Sequence, residues 1–112
     1  RGDAMTQEHH HVQNERQVTG LADDWAPVFK TLSDPTRLRL LLAMHYRGPA
    51  EASVSDLADA TGVRVATASA SLVTMADAGV IEPVRQGRVV RYRLVDDQVH
   101  RLLHHLGATH AH

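Results

Sequence analysis

Apolar side chains recur at helical spacing through most of this chain and alternate over only one stretch, between residues 80 and 95. Residues 1–18 show neither pattern: they are polar and aperiodic, which predicts a disordered N-terminal arm ahead of a domain spanning 19–112. From Leu21 onward, Trp25, Val28, Phe29 and Leu32 follow a helical period, and Pro27 suits that helix only within its first turn. Ser33-Asp34-Pro35 breaks it. Asp34 is suited to cap the next helix, with Pro35 at the position where a missing N–H costs nothing. Leu38, Leu41 and Leu42 then share a face, and Gly48-Pro49 ends the run.

Ser53 opens a further helix, with Asp56 three residues on, Leu57 as its apolar anchor and Gly62 as its terminator. After Val63 the helical pattern resumes with Ala68, Leu72, Met75 and Ala76 on one side, and it stops at Gly79. Two short helices joined by a tight glycine turn predict a helix-turn-helix. Two β-rich runs then flank Gln86-Gly87, and in the second Val90, Tyr92 and Leu94 alternate with Arg91 and Arg93. A helix-turn-helix followed by an arginine-bearing hairpin is a winged helix. The last segment places Val99, Leu102, Leu103 and Leu106 at i, i+3, i+4 and i+7, an amphipathic helix capped by Asp96 or Asp97. The expected fold is mainly α with a small β-hairpin, and the last apolar stripe is more than so small a domain covers by itself, which predicts a homodimer.

Composition narrows the class. A chain of 112 residues is one domain with a modest core. The aromatics are few (Trp25, Phe29, Tyr46 and Tyr92), so leucine, valine and alanine must do most of the packing. No apolar run approaches the ~20 residues that span a bilayer and no signal-peptide pattern is present, so a cytoplasmic location without a membrane partner is expected. The four residues ahead of Met5 read as an expression remnant. With no cysteine, disulfides, thiolate metal sites and redox thiols are excluded, and any metal site must use His, Asp or Glu. No Ser/His/Asp set or paired carboxylates stand out, and an enzyme is not expected.

The net charge of −1 is not that of a polycation. Its distribution is more telling: eleven of the twelve basic residues are arginine, and Arg85, Arg88, Arg91 and Arg93 lie in a window, 83–95, without a single acid. Such a strip suits DNA phosphates.

The stretches FKTLSDPTRLRLLLAM, VSDLADATGV, ATASASLVTMADAGVI and RQGRVVRYRLVDDQV, in that order across residues 28–99, resemble the ArsR/SmtB family of metal-responsive winged-helix regulators. The resemblance implies a homodimer formed through the first and last helices, binding a palindromic double-stranded operator, with metal modulating DNA affinity. It places Arg64, Thr67, Ser69 and Ser71 on the DNA-reading helix and Arg85, Arg88 and Arg91 on the wing. Where many relatives carry Ser-His-Gln-Leu, this chain has Ser69-Ala70-Ser71-Leu72. Short hydroxyl side chains read bases weakly, so phosphate contacts and DNA shape are expected to carry much of the affinity.

Relatives that sense metal at the last helix begin it with Asp-x-His; here Asp96 is present, but Gln98 replaces the histidine. The chain nevertheless has five histidines among its last thirteen residues. Asp96, His100 and His104 form an i, i+4, i+8 line, and His110 and His112 lie about one helix-length away. In an antiparallel pairing of last helices these five residues would make two symmetric metal sites with ligands from both subunits. His105 points elsewhere, His45 reads as a core or interface histidine, and His9-His10-His11 is a candidate arm that could complete coordination. Nickel is the first choice of metal, because it accepts five or six nitrogen and oxygen ligands, with zinc or cobalt second. Two alternatives stay open: a winged-helix regulator controlled by an accessory protein, and a histidine-rich metal-storage protein.

Overall fold

The computed structural model describes residues 4–107, with side chains from residue 14 onward. The chain divides at Lys30/Thr31 into two compact units. Helix α1 (Ala4–Leu32) makes up the first almost entirely. It is helical through residues where no apolar period marks a helix, so the boundary expected at 18/19 falls inside it. Residues 4–19 contain neither glycine nor proline, and half of them are Ala, Met, Gln, Glu or Arg, whose backbone propensity favours helix without an amphipathic stripe. Pro27 lies near the helix's C-terminal end, not in its first turn. The rings of Trp25 and Phe29, one turn apart, meet at a tilt of 34° with centroids 6.1 Å from each other.

The second unit holds the other elements. Helix α2 (Pro35–Arg47) starts as expected at Asp34-Pro35, although the Asp34 side chain makes no cap hydrogen bond and lies 3.5 Å from Arg37 Nε. Its fully buried side chains are Leu40, Leu41 and Met44, whereas Leu38 and Leu42 are only half-buried. Helix α3 (Val54–Thr61) is opened by a complete capping box. The Asp56 N–H donates to Ser53 Oγ at 3.2 Å, and the Ser53 N–H donates to Asp56 Oδ2 at 3.1 Å. Gly62 ends it in the left-handed region, φ 73°. Helix α4 (Val65–Asp77) follows after two residues and closes with Gly79 N–H donating to Ala76 O and Val80 N–H to Met75 O, a Schellman pair.

The hairpin is β2 (Ile81–Gln86) and β3 (Val89–Leu94), paired from Ile81↔Leu94 to Gln86↔Val89. The turn residues are Gly87 and Arg88, one position later than the sequence suggests, with a positive φ of 66° at the glycine. A third, two-residue strand, Ala52–Ser53, pairs with β3 through Ala52↔Tyr92 and Ser53↔Arg91, putting β3 at the centre of the sheet. Nothing in a two-residue segment announces a strand; it exists because β3 offers it an edge.

Helix α5 (Asp97–His105) completes the unit, capped by Asp96. Val99 and Leu103 are fully buried with Leu57, Leu72, Met75 and Ile81, so every element of this unit contributes to one core. Leu103, expected on a dimer face, belongs to the protomer interior. Leu106 remains 61% exposed.

The Ser53 backbone N–H, then its hydroxyl, hold Asp56 below the ordinary carboxylate value of 3.8; Arg47 and Arg91 add to this, and burial opposes it. A depressed folded pKa means stabilisation that is complete above the unfolded value and disappears as pH falls through the folded one. Asp56→Asn should therefore melt at lower temperature than the parent at neutral pH, with the gap closing in acid below pH 3.8. Thermal unfolding followed by circular dichroism across that range checks it; a gap that persists unchanged in acid would contradict the assignment.

Candidate nucleic-acid interface and histidine cluster

On α4 the inward row is Ala68, Leu72 and Met75, which leaves Val65, Ala66, Thr67, Ala70, Val73 and Thr74 exposed. Of the expected readers, Arg64 and Thr67 are exposed, while Ser69 and Ser71 are half-buried at the edges of the outward face. Thr74 Oγ1 donates back to Ala70 O at 3.1 Å. The surface is one of methyl groups and short hydroxyls, with Arg64 at its N-terminal edge. It suits thymine methyls and groove shape better than bidentate base pairing.

The four arginines of the wing divide into two pairs. Arg93 donates to Glu82, its partner across the strands in the register Glu82↔Arg93. Arg91 donates from Nε to Gln86 Oε1 at 3.0 Å and from Nη1 to Glu51 O at 2.8 Å, and its Nη1 lies 3.6 Å from Asp56 Oδ2. Arg91, expected to contact DNA, is thus engaged in fastening β3 to the segment that starts α3. Arg85 and Arg88 are exposed and make no ion pair with any described residue. The acid that pairs with Arg93, Glu82, sits one residue outside the acid-free window, and only strand register reveals the pairing.

The expected metal residues are likewise sorted. Asp96 is a helix cap: its Oδ1 accepts from the N–H groups of Gln98 at 2.9 Å and Val99 at 3.1 Å. His110 and His112 lie outside the described residues, as do the side chains of His9-His10-His11. His100 and His104 do meet, and the third member of their group is His45 from the last turn of α2. One ligand nitrogen from each ring lies within 4.8 Å of those of the other two. The rings stand edge to face, with centroid separations of 4.9 Å (His45–His100), 5.8 Å (His45–His104) and 6.1 Å (His100–His104). His45 is buried, whereas His100 and His104 are exposed. Beside them a cavity of about 50 Å³ is lined by Met44, His45, Gly48, Pro49, Leu94 and His100.

His45 gave no sign of this in the sequence. A histidine among leucines reads as a core residue, and 55 positions separate it from His100. The one usable signal was its placement four residues after Leu41, which puts it on the buried face of its helix.

Residues 32–84 match a helix-turn-helix domain model. A cadmium resistance transcriptional regulatory protein CadC homolog from Staphylococcus aureus is 35% identical over 80 residues, covering 71% of this chain and 64% of that protein. The chain thus spans less than two thirds of that relative's length. The crystal structure of AntR, an antimony-specific transcriptional repressor, superposes with a TM-score of 0.68 at 38% identity, covering 77% of this chain and 75% of that one. The homodimeric winged helix-turn-helix domain of Mb0332 from Mycobacterium bovis, a possible ArsR-family regulator, does so with a TM-score of 0.60 at 33% identity, covering 81% and 82%. With this fold, this element order and these relatives, the chain belongs to the ArsR/SmtB family of winged-helix transcriptional regulators.

Proposed function

We propose that this regulator is a homodimer that binds a palindromic operator and changes its DNA affinity on binding a divalent transition metal, with nickel the first choice and zinc or cobalt second. The DNA-binding half rests on the outward pair Arg85 and Arg88, carried on a wing that Arg91 fastens in place. The phosphate contacts come from these two and Arg64; Thr67 and the small side chains of α4 face the bases, with Ser69 and Ser71 at the margin. Arg91 acts by holding the wing.

The metal half rests on ligand chemistry. Two relatives are named for cadmium resistance and for antimony specificity, whereas this chain has nine histidines and no cysteine. Imidazole nitrogen favours nickel, zinc and cobalt over thiolate-seeking ions. One observation favours the second reading, control by an accessory protein: Asp96 is occupied as a cap and Gln98 stands where relatives carry histidine. Metal storage without DNA binding leaves the wing unexplained. The deciding experiment is DNA affinity by fluorescence anisotropy, with and without nickel or zinc, on a duplex the protein has selected from a random library. A change of tenfold or more, about 1.4 kcal/mol, supports metal control; an unchanged affinity favours the accessory protein.

The arginines are separable. Arg88→Ala should weaken selected and random duplexes alike and reduce the salt slope of binding by about one, with the melting temperature unchanged. Arg91→Ala should lower the melting temperature by roughly 5 °C, corresponding to about 1 kcal/mol for a charged hydrogen bond discounted for its exposure. If Arg91→Ala instead leaves stability intact and shrinks the salt slope, its place is on the DNA.

Dimerisation has its own test. Leu106 is exposed on the last helix and Leu21 and Phe29 on the first. The protein should sediment as a dimer at micromolar concentration. Leu106→Glu should shift it toward monomer without unfolding it, which a substitution at the buried Leu103 could not show.

A further inference from the structure

We propose that His45, His100 and His104 form a divalent-metal site within one chain, clamping the end of α2 to α5. This rests on the reading of the protein as metal-responsive and gives that response a location other than the subunit-spanning set of Asp96, His100, His104, His110 and His112.

The ligands come from two elements already packed together in the core. Val99 and Leu103 anchor α5, and Leu41 and Met44 anchor α2, so the three imidazole-bearing positions are fixed by side chains other than themselves. His100 and His104 are one helical turn apart and project on the same side. His45 meets them from the opposite wall. On a tetrahedral ion, nitrogens at ~2.1 Å from the metal lie about 3.4 Å from one another. The ligand atoms all lie within 4.8 Å of one another, so the contraction needed is at most about 1.4 Å. The exposed His100 and His104 rings can supply that by rotating, while the buried His45 stays in place.

Three neutral nitrogens and no thiolate make a borderline donor set, right for Zn²⁺, Co²⁺ or Ni²⁺ and poor for Ca²⁺ or Mg²⁺. The adjoining cavity of about 50 Å³ accommodates a water or two, which would fill the remaining coordination positions. It is far below the ~300 Å³ at which small organic ligands begin to fit, so the effector of this pocket is an ion. Asp96 is not part of this group of close ligand atoms, and its Oδ1 caps the same helix.

The clamp has a mechanical consequence. Helix α2 leads through β1 into the DNA-reading pair α3–α4, and α5 ends at the exposed Leu106. Drawing His100 and His104 onto His45 changes how α5 sits on α2, which leads into the DNA-reading elements, and an ion that prefers one arrangement biases DNA affinity by that preference.

The full chain is titrated calorimetrically with zinc chloride and nickel chloride, and Co²⁺ absorption spectra report the coordination geometry. One ion per chain is expected. His100→Ala and His104→Ala, both at exposed positions, should each weaken binding at least tenfold, and His45→Gln should do the same. His105→Ala and the double change His110→Ala/His112→Ala should leave it unaltered. Should His45→Gln fail to fold, the two α5 variants and Co²⁺ spectra decide alone. A large loss in the His110/His112 variant together with normal binding in His104→Ala overturns the proposal. Mixing His45→Gln chains with His100→Ala chains should restore nothing, since each chain lacks a ligand; recovery of half the capacity would mean a site shared between subunits and would overturn the single-chain assignment. DNA affinity measured on the same proteins separates the two readings. Metal binding that maps to these histidines but leaves wild-type DNA affinity unchanged keeps the site and removes the sensing role. A metal effect on DNA that survives in His100→Ala and His104→Ala removes the site.

Discussion

The Asp56 carboxylate has three neighbours that would otherwise be independent: the first turn of α3, the two-residue strand β1 and the wing. It accepts the Ser53 N–H, lies within 3.6 Å of Arg91 and 3.8 Å of Arg47, and so fixes where α3 begins relative to the sheet. Ser53 is both the cap of α3 and the partner of Arg91 across the strands. The helix start, the third strand and the attachment of the wing are therefore one construction. A helix of eight residues is too short to hold itself in water. Its capping box and the burial of Leu57 and Ala58 are what make it a rigid support for α4.

The same construction explains why the wing's charge is divided. A two-stranded ribbon is marginal in water and needs a third strand or a packed face. Here Arg91 and Arg93 supply cross-links to Glu51, Asp56 and Glu82, leaving Arg85 and Arg88 beside the turn at the far end. Cations held in internal pairs stiffen the ribbon; cations at its tip stay available to an external anion. The reading helix complements this with a face of methyls and hydroxyls, which contributes shape and hydrophobic contact but few directed hydrogen bonds. On the proposed reading, most of the affinity comes from backbone phosphates, and discrimination depends on the second half-site that a dimer would bring.

The packing of α2 against α5 performs a different task. It closes the core through Leu41, Met44, Val99 and Leu103, and at its edge it gathers three imidazoles. Aliphatic contacts set the distance between the helices, and the histidines occupy a gap whose dimensions they did not determine. Coupling between such a cluster and DNA binding needs no long path, because α2 carries the chain directly into the helix-turn-helix.

The sequence by itself determined helices α2 to α5 and the hairpin, with most of their ends, but neither β1 nor the start of α1. Pro35, Ser53 with Asp56, Gly62, Gly79 and the Asp96 cap are local chemistry, decided by where a proline without an N–H fits, which backbone groups a side chain within three or four residues can satisfy or which φ a glycine can adopt. It also bounded the ligand chemistry, since a chain without cysteine has only nitrogen and oxygen to offer a metal. The tertiary structure decided what depends on residues far apart in the chain. Pairing across β2 and β3 set Glu82 against Arg93, and the fold brought Glu51 and Asp56 to Arg91, tying two of the four wing arginines to neighbours on the protein surface. Packing of α5 on α2 brought His45 to His100 and His104, while Asp96 caps the same helix through its Oδ1. Helical periodicity reports the direction in which a side chain leaves its own helix and carries no information about what another helix places opposite it; that is why the line Asp96, His100, His104 was legible and the triangle with His45 was not.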